Sequence, residues 1–141
     1  MAPTIPPAES SVVEFKREWT ETVRETFCSF LNSHGGRVYF GVSDDEIVVG
    51  IDKTDEISRT VHSIFKFAIH PPAESYVQTK TVKIKDKDVV IVTVLEGPEP
   101  PYYVSIKDNN KKERVCYIRQ GSSSYEANDK EIRSLYRKGN P

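Results

Sequence analysis

Glu9-Ser10-Ser11-Val12-Val13-Glu14-Phe15-Lys16 opens the stretch on which the fold turns. It runs on through Phe30-Leu31-Asn32-Ser33-His34-Gly35-Gly36 and Arg37-Val38-Tyr39-Phe40-Gly41-Val42-Ser43-Asp44-Asp45, and closes at Val48-Val49-Gly50-Ile51. Residues 11–17 alternate with the period of a strand. Val13 and Phe15 share the parity that faces a core, which leaves Glu14 and Lys16 side by side on the open face. Val23, Phe27, Phe30 and Leu31 then recur at helical spacing, with Cys28 next to the stripe. Thr20 or Thr22 is placed to cap that helix, and Glu21 and Glu25 suit its positive end. Asn32 and the Gly35-Gly36 pair stop it. Residues 38–42 read as a strand, Ser43-Asp44-Asp45-Glu46 as a turn, and residues 47–51 as the returning strand. Gly41 and Gly50 fall inside these runs, where glycine marks a bulge or a close backbone approach. Carboxylates therefore lie on either side of a hydrophobic helix and beside paired glycines, a layout that brings acidic groups together from distant positions.

Working outward, Thr54 or Asp55 caps a second helix whose apolar stripe is Ile57, Val61, Ile64, Phe65 and Ala68, and Pro71-Pro72 ends it. Residues 76–84 and 89–95 read as two strands joined by Lys85-Asp86-Lys87-Asp88. After the loop Gly97-Pro98-Glu99-Pro100-Pro101, residues 102–106 and 115–119 read as a hairpin around Asp108-Asn109-Asn110-Lys111-Lys112. A final helix starts near Asn128, with Ile132, Leu135 and Tyr136 facing inward. Helices separated by hairpins imply an α+β domain, a mixed sheet packed with about three helices. The 141 residues are the size of one domain. Residues 1–8 read as an extended lead-in, 9–137 as the domain and 138–141 as a tail, which fits either a small protein or part of a longer one.

A 37% hydrophobic content supports a core, and a net charge of −1 excludes a global basic field. Any nucleic-acid contact must come from a local concentration of cations. No apolar run approaches the roughly 20 residues of a membrane span, and the proline-rich start is not a signal peptide. Cys28 and Cys116 have neither redox nor zinc spacing, and read as free, buried thiols of a reducing, cytoplasmic setting. His34, His62 and His70 form no ligand pattern, although His34 beside the paired glycines is placed to act as an acid or base. No phosphate-binding loop is present, so no nucleotide cofactor is expected.

Taken together, these blocks resemble the Schlafen AlbA-type domain, a divergent relative of the Alba nucleic-acid-binding fold. Glu9-Ser10 with Glu14-Phe15-Lys16 is similar to that family's opening. Phe30-Leu31-Asn32-Ser33 with Gly35-Gly36 resembles its central signature, and Gly41-Val42 with Asp44 and Gly50-Ile51 its next block. Tyr117-Ile118-Arg119-Gln120-Gly121-Ser122, with Ala127 and the closing helix, resembles its end. The resemblance covers residues 9–137 and implies binding of RNA or DNA. Some members of the family are metal-dependent endoribonucleases acting on transfer RNA or other structured RNA; others are binding or regulatory modules. The matching carboxylates are Glu9, Glu14 and Asp44, with Asp45 an alternative to Asp44. The resemblance also implies pairing with a second lobe, as a homodimer or a heterodimer.

Three carboxylates can hold Mg²⁺ or Mn²⁺, which would polarise a phosphate and activate the attacking oxygen. Spacing alone favours solvated surface acids, and the resemblance shifts the balance towards a shared site. Glu9 and Glu14 differ by an odd number, so a shared site requires the chain to bend near Ser10-Ser11. Lys16, Arg17, Arg37, Lys53 and Arg119 are the candidate phosphate contacts, with Lys66 and Lys107 beyond them. Ser122, Ser123 and Ser124 add hydroxyl donors beside Arg119. Tyr102 and Tyr103 could stack on bases, with core packing as the plainer reading. Lys80, Lys83, Lys85, Lys87, Lys111 and Lys112 read as solvated hairpin charges. A non-catalytic binding module and a lobe that pairs with an active partner stand as alternatives to the nuclease.

Overall fold

A computed structural model describes residues 3–108 and 111–141. Its elements run β1 (Val13–Lys16), α1 (Val23–Leu31), β2 (Gly36–Phe40), α2 (Thr54–Ser63), a π-helical turn (Ile64–Ala68) and β3 (Ile69–His70). They continue with β4 (Val77–Ile84), β5 (Lys87–Val94), β6 (Tyr103–Asp108), β7 (Lys111–Val115), β8 (Tyr117–Gln120), β9 (Ser123–Glu126) and α3 (Asp129–Gly139). The strands form a mixed four-stranded sheet in the order β1-β2-β5-β4, a three-stranded sheet β3-β6-β7 and the ribbon β8-β9. This is the α+β architecture expected from the pattern. Among the described residues no helix is long and apolar enough to cross a membrane. The expected turn at Asn109-Asn110 lies outside the described residues.

The larger core lies between the four-stranded sheet and the helices. The whole α1 stripe is buried there with Val38, Phe40, Val90, Val92 and Val94 from β2 and β5. Phe15, Tyr39, Val42, Val48, Ile84 and Val89 form a second cluster on the other face, with Ile5 of the lead-in packed against it. The face under the helices is covered, and the other is covered where Phe15, Tyr39 and Ile84 lie. The expectation of an open face for Glu14 and Lys16 is corrected on this point: they share a face, as alternation requires, but it is the face under α1.

The paired glycines have steric causes. Gly35 ends α1 with φ +75°, its N–H donating to the Phe30 carbonyl at 2.9 Å. A Cβ there would sit 2.5 Å from the Val94 carbonyl oxygen. At Gly36 a Cβ would meet the Phe30 ring at 2.6 Å. Gly41 and Gly50 are a close backbone approach, as expected: the amides of Val49 and Gly50 both donate to the Gly41 carbonyl.

Four local expectations are corrected. Residues 47–51 do not return as a strand, because the chain turns at Gly41 (φ +104°) and keeps only a Val42–Val48 bridge. Residues 115–119 are not one strand: the chain breaks at Cys116, so that β7 pairs with β6 while β8 turns back on β9. At α2 the cap position is Lys53, in the left-handed region, and Thr54 and Asp55 lie inside the first turn. On α3, Ile132 and Leu135 are half-buried but Tyr136 is exposed.

Candidate functional site

The chain does bend where a shared acidic site would require. The Ser10 amide donates to the Val13 carbonyl at 2.9 Å, closing a turn at Ser11-Val12. That turn brings Glu9 back along β1, where its Oε2 accepts the Phe15 amide at 3.2 Å. β1 is an edge strand, and Glu9 supplies the acceptor that a neighbouring strand would otherwise give.

Glu14 lies deeper. Thr26 of α1 donates to its Oε2 at 2.5 Å, and Nη1 of Arg119 donates to its Oε1 at 2.9 Å. Lys16 Nζ is 3.6 Å from Oε2. The Arg119 side chain is only 1% exposed, so it is unavailable to a phosphate. Its two Nη atoms also bond to the chain itself, Nη1 to Ser124 Oγ at 3.0 Å and Nη2 to the Ser10 carbonyl at 3.0 Å. The guanidinium carbon stands 4.9 Å from the centroid of the Phe30 ring, which rests in turn against Gly36. Arg119 thus fastens β8 to the β1 edge and α1, which corrects its reading as a phosphate contact. Arg119 Nε is buried with no hydrogen-bond partner among the described residues. Glu25 stands in the field of both Lys16 and Glu14; burial raises its carboxyl above the usual range, Lys16 opposing the shift and Glu14 adding to it.

Asp44 and Asp45 are exposed in the Ser43–Ile47 turn, which closes through the Ser43 amide and the Ile47 carbonyl at 2.9 Å. Among the described residues no three His, Cys, Asp or Glu side chains come together as a metal site. The expected set of Glu9, Glu14 and Asp44 is therefore not assembled: Glu9 caps a strand edge, Glu14 is bonded to Arg119, and Asp44 stands in solvent. These residues do not fit a resident Mg²⁺ or Mn²⁺ in this arrangement.

The expected phosphate contacts separate. Arg17 and Lys53 line one groove of about 660 Å³ with Trp19. Glu18, Glu21, Asp52 and Glu56 also line it, so carboxylates outnumber cations there. Arg37 is exposed on the opposite face of the sheet from Lys16, by strand parity. Lys16 is held beside Glu14. Tyr102 is core, whereas Tyr103 is half-buried in a shallow groove with Tyr136, Arg133 and Arg137. His34 is exposed, 3.5 Å from Glu96, which also pairs with Lys138 at 2.9 Å. Lys80, Lys83, Lys85 and Lys87 are exposed as expected; the side chains of Lys111 and Lys112 lie outside the described residues.

Asn32 does more than stop a helix. Its Nδ2 donates to the carbonyls of Tyr102 (3.0 Å) and Tyr117 (2.9 Å), and its Oδ1 accepts the Tyr102 amide at 2.7 Å. It also reaches the sulfurs of Cys28 and Cys116, both free and buried. Burial pushes the Cys116 thiol up to about 11, and the Cys28 thiol further still. Sequence reasoning misses Thr26, and reads Asn32 only as a helix stop and part of the central block, because their partners lie far away in sequence; a buried-side position on an apolar helix is the available signal.

The family model described as Schlafen, AlbA_2 matches residues 9–128. The chain belongs to this Schlafen family. The DIP2311 protein from Corynebacterium diphtheriae is similar in structure, with a TM-score of 0.61 at 16% identity over 90% of this chain and 27% of that one. The N-terminal domain of a RecG-related protein from Nitrosomonas europaea gives a TM-score of 0.49 at 17% identity, over 64% of this chain and 66% of that one. The likeness to the DIP2311 protein is one of fold. In this Schlafen domain the opening, central and closing blocks meet through Glu14, Phe30 and Arg119, and the distance in sequence between them is closed by one buried ion pair.

Proposed function

We propose that this Schlafen domain binds RNA or DNA as a module, and that its central carboxylate holds the fold. Family membership supports nucleic acid as the partner. The pairing of Glu14 with Arg119 and Thr26 carries the choice between binding and cutting. A cation at Glu14 would have to displace a guanidinium that also fastens Ser10 and Ser124, and so open the contact between β1 and β8. Metal-dependent cleavage of structured RNA through Glu9, Glu14 and Asp44 is the finer reading the family offers, and this pairing speaks against it. With a net charge of −1 the contact rests on local cations. Pairing with a second lobe, a copy or a relative, belongs to the same reading.

The test uses fluorescently labelled transfer RNA, single-stranded RNA and duplex DNA. Binding in chelator, weakening steeply between about 50 and about 200 mM salt, is expected. So is the absence of Mn²⁺-dependent cleavage. Cleavage that disappears in a folded Glu9→Ala, Asp44→Ala variant would overturn the module reading and restore the nuclease. Sedimentation with and without RNA reports the lobe pairing.

A further inference from the structure

A groove of about 1110 Å³ lies between the start of α1, the α2–π segment and the outer end of β6. None of Glu9, Glu14, Asp44, Arg17 or Lys53 lines it. Its form follows from the π-helical turn. β3 pairs with β6 only at Ile69–Val104 and His70–Tyr103, because residues 64–68 are wound rather than extended. Along Ser105–Lys107, β6 therefore has no strand partner on that side, and Phe67 and Ala68 face it across the groove. Such π turns recur at functional sites.

The same turn sorts its side chains. Ile64 and Phe65 are buried, whereas Phe67 is 70% exposed. The Lys66 ammonium stands 5.4 Å from the Phe67 ring centroid. Arg24, Arg59 and Lys107 line the same groove. Its two carboxylates are subdued: Glu21 is bonded to Arg24 at 2.9 Å and to the Trp19 indole at 3.1 Å, and Glu25 is partly desolvated. Arg59, Lys66 and Lys107 make no ion pair among the described residues. One exposed ring beside cations that have no ion-pair partner among the described residues suits a base with its flanking phosphates; an amphipathic helix would require a broader apolar floor.

We infer that this groove binds a single-stranded segment of nucleic acid, with a base stacked on Phe67 and the adjoining phosphates on Arg59 and Lys107. The inference rests on the nucleic-acid reading above and adds where the strand lies and in what form. A duplex cannot use Phe67 because its bases are already stacked. The edge of β6 beyond its pairing with β3 offers polar partners to the edge of the stacked base, while the Ser105 hydroxyl is shared with His70 Nε2 at 3.0 Å.

The experiment measures anisotropy of a labelled oligouridylate of about ten nucleotides, within the usual span of such sites, and of a duplex of equal length. Phe67→Ala should weaken the single strand about tenfold and leave the duplex within about twofold, the loss of one stacked base. Phe67→Tyr should retain most of the affinity. Trp19 is the sole tryptophan and lies in the other groove. In a Trp19→Phe background, the indole introduced by Phe67→Trp should therefore be quenched by the single strand alone. Unchanged binding in Phe67→Ala, or an unquenched indole while the strand binds, overturns the groove and leaves the module reading standing. A wild-type chain that binds neither form overturns both.

Discussion

Breaking the Glu14–Arg119 pair should cost far more than a surface ion pair. Both side chains are almost wholly removed from solvent, at 9% and 1% exposure. Removing one partner of a buried pair leaves the other charge uncompensated, at about 3–5 kcal/mol. Arg119→Met also takes donors from the Ser10 carbonyl and the Ser124 hydroxyl. Glu14→Gln keeps the shape but leaves the guanidinium facing a neutral amide. For 141 residues the entropy of unfolding is about 0.3 kcal/mol/K, so about 3 kcal/mol lowers the melting temperature by about 10 °C. Urea denaturation followed by circular dichroism supplies the free energies for each single variant and the double. The double variant should be less damaged than the sum of the singles by about 2 kcal/mol or more, since the two residues share one interaction. A Glu14→Gln cost below about 1 kcal/mol, or additivity within about 0.5 kcal/mol, would refute the reasoning. The carboxylate would then be free for a ligand, and the nuclease reading would regain its central residue.

Three further outcomes are expected. Asn32→Ala should cost about 2 kcal/mol or more in urea denaturation, because the Tyr102 amide and the Tyr117 carbonyl lose buried partners. Gly36→Ala should cost about 1–3 kcal/mol by overpacking, since a Cβ would drive the Phe30 ring away from Arg119; Gly121→Ala meets no atom within 4 Å but is strained by φ +56°, and serves as the contrast in thermal melts. Glu25→Gln should raise the melting temperature at neutral pH. Its folded-state carboxyl is raised above 4.5, so ionisation weakens the fold as pH climbs from there, and the gap between variant and wild type should close below about pH 4.5.

The fold was legible wherever periodicity and burial agree. The α1 stripe is buried as read, and the β4–β5 hairpin pairs over its full length, Val77–Val94 to Ile84–Lys87. It failed where polar residues do the packing. Strand β9 (Ser123–Glu126) has no apolar alternation, and it is held through hydroxyls, Ser124 against Ser29 at 2.8 Å. The site failed for a related reason. Alternation tells which residues share a face, as Glu14 and Lys16 do, but says nothing of what covers that face. Coverage here comes from α1 and from Arg119, more than a hundred residues away.

Arg119 shows why residue type alone could not decide the chemistry. A guanidinium beside glycine and serine suits a phosphate as well as it suits a buried carboxylate. The outcome depends on the partner, and the Ser10-Ser11 bend delivers both a carbonyl and Glu14 to the same fork of donors. Once those donors are engaged, the matched blocks have little left to offer a ligand. Affinity for nucleic acid then has to come from surfaces outside them, and the exposed ring and cations at Phe67, Arg59 and Lys107 meet that requirement. The same logic orders the experiments: Phe67→Ala should change binding and spare stability, while Arg119→Met should do the reverse in whatever fraction remains folded.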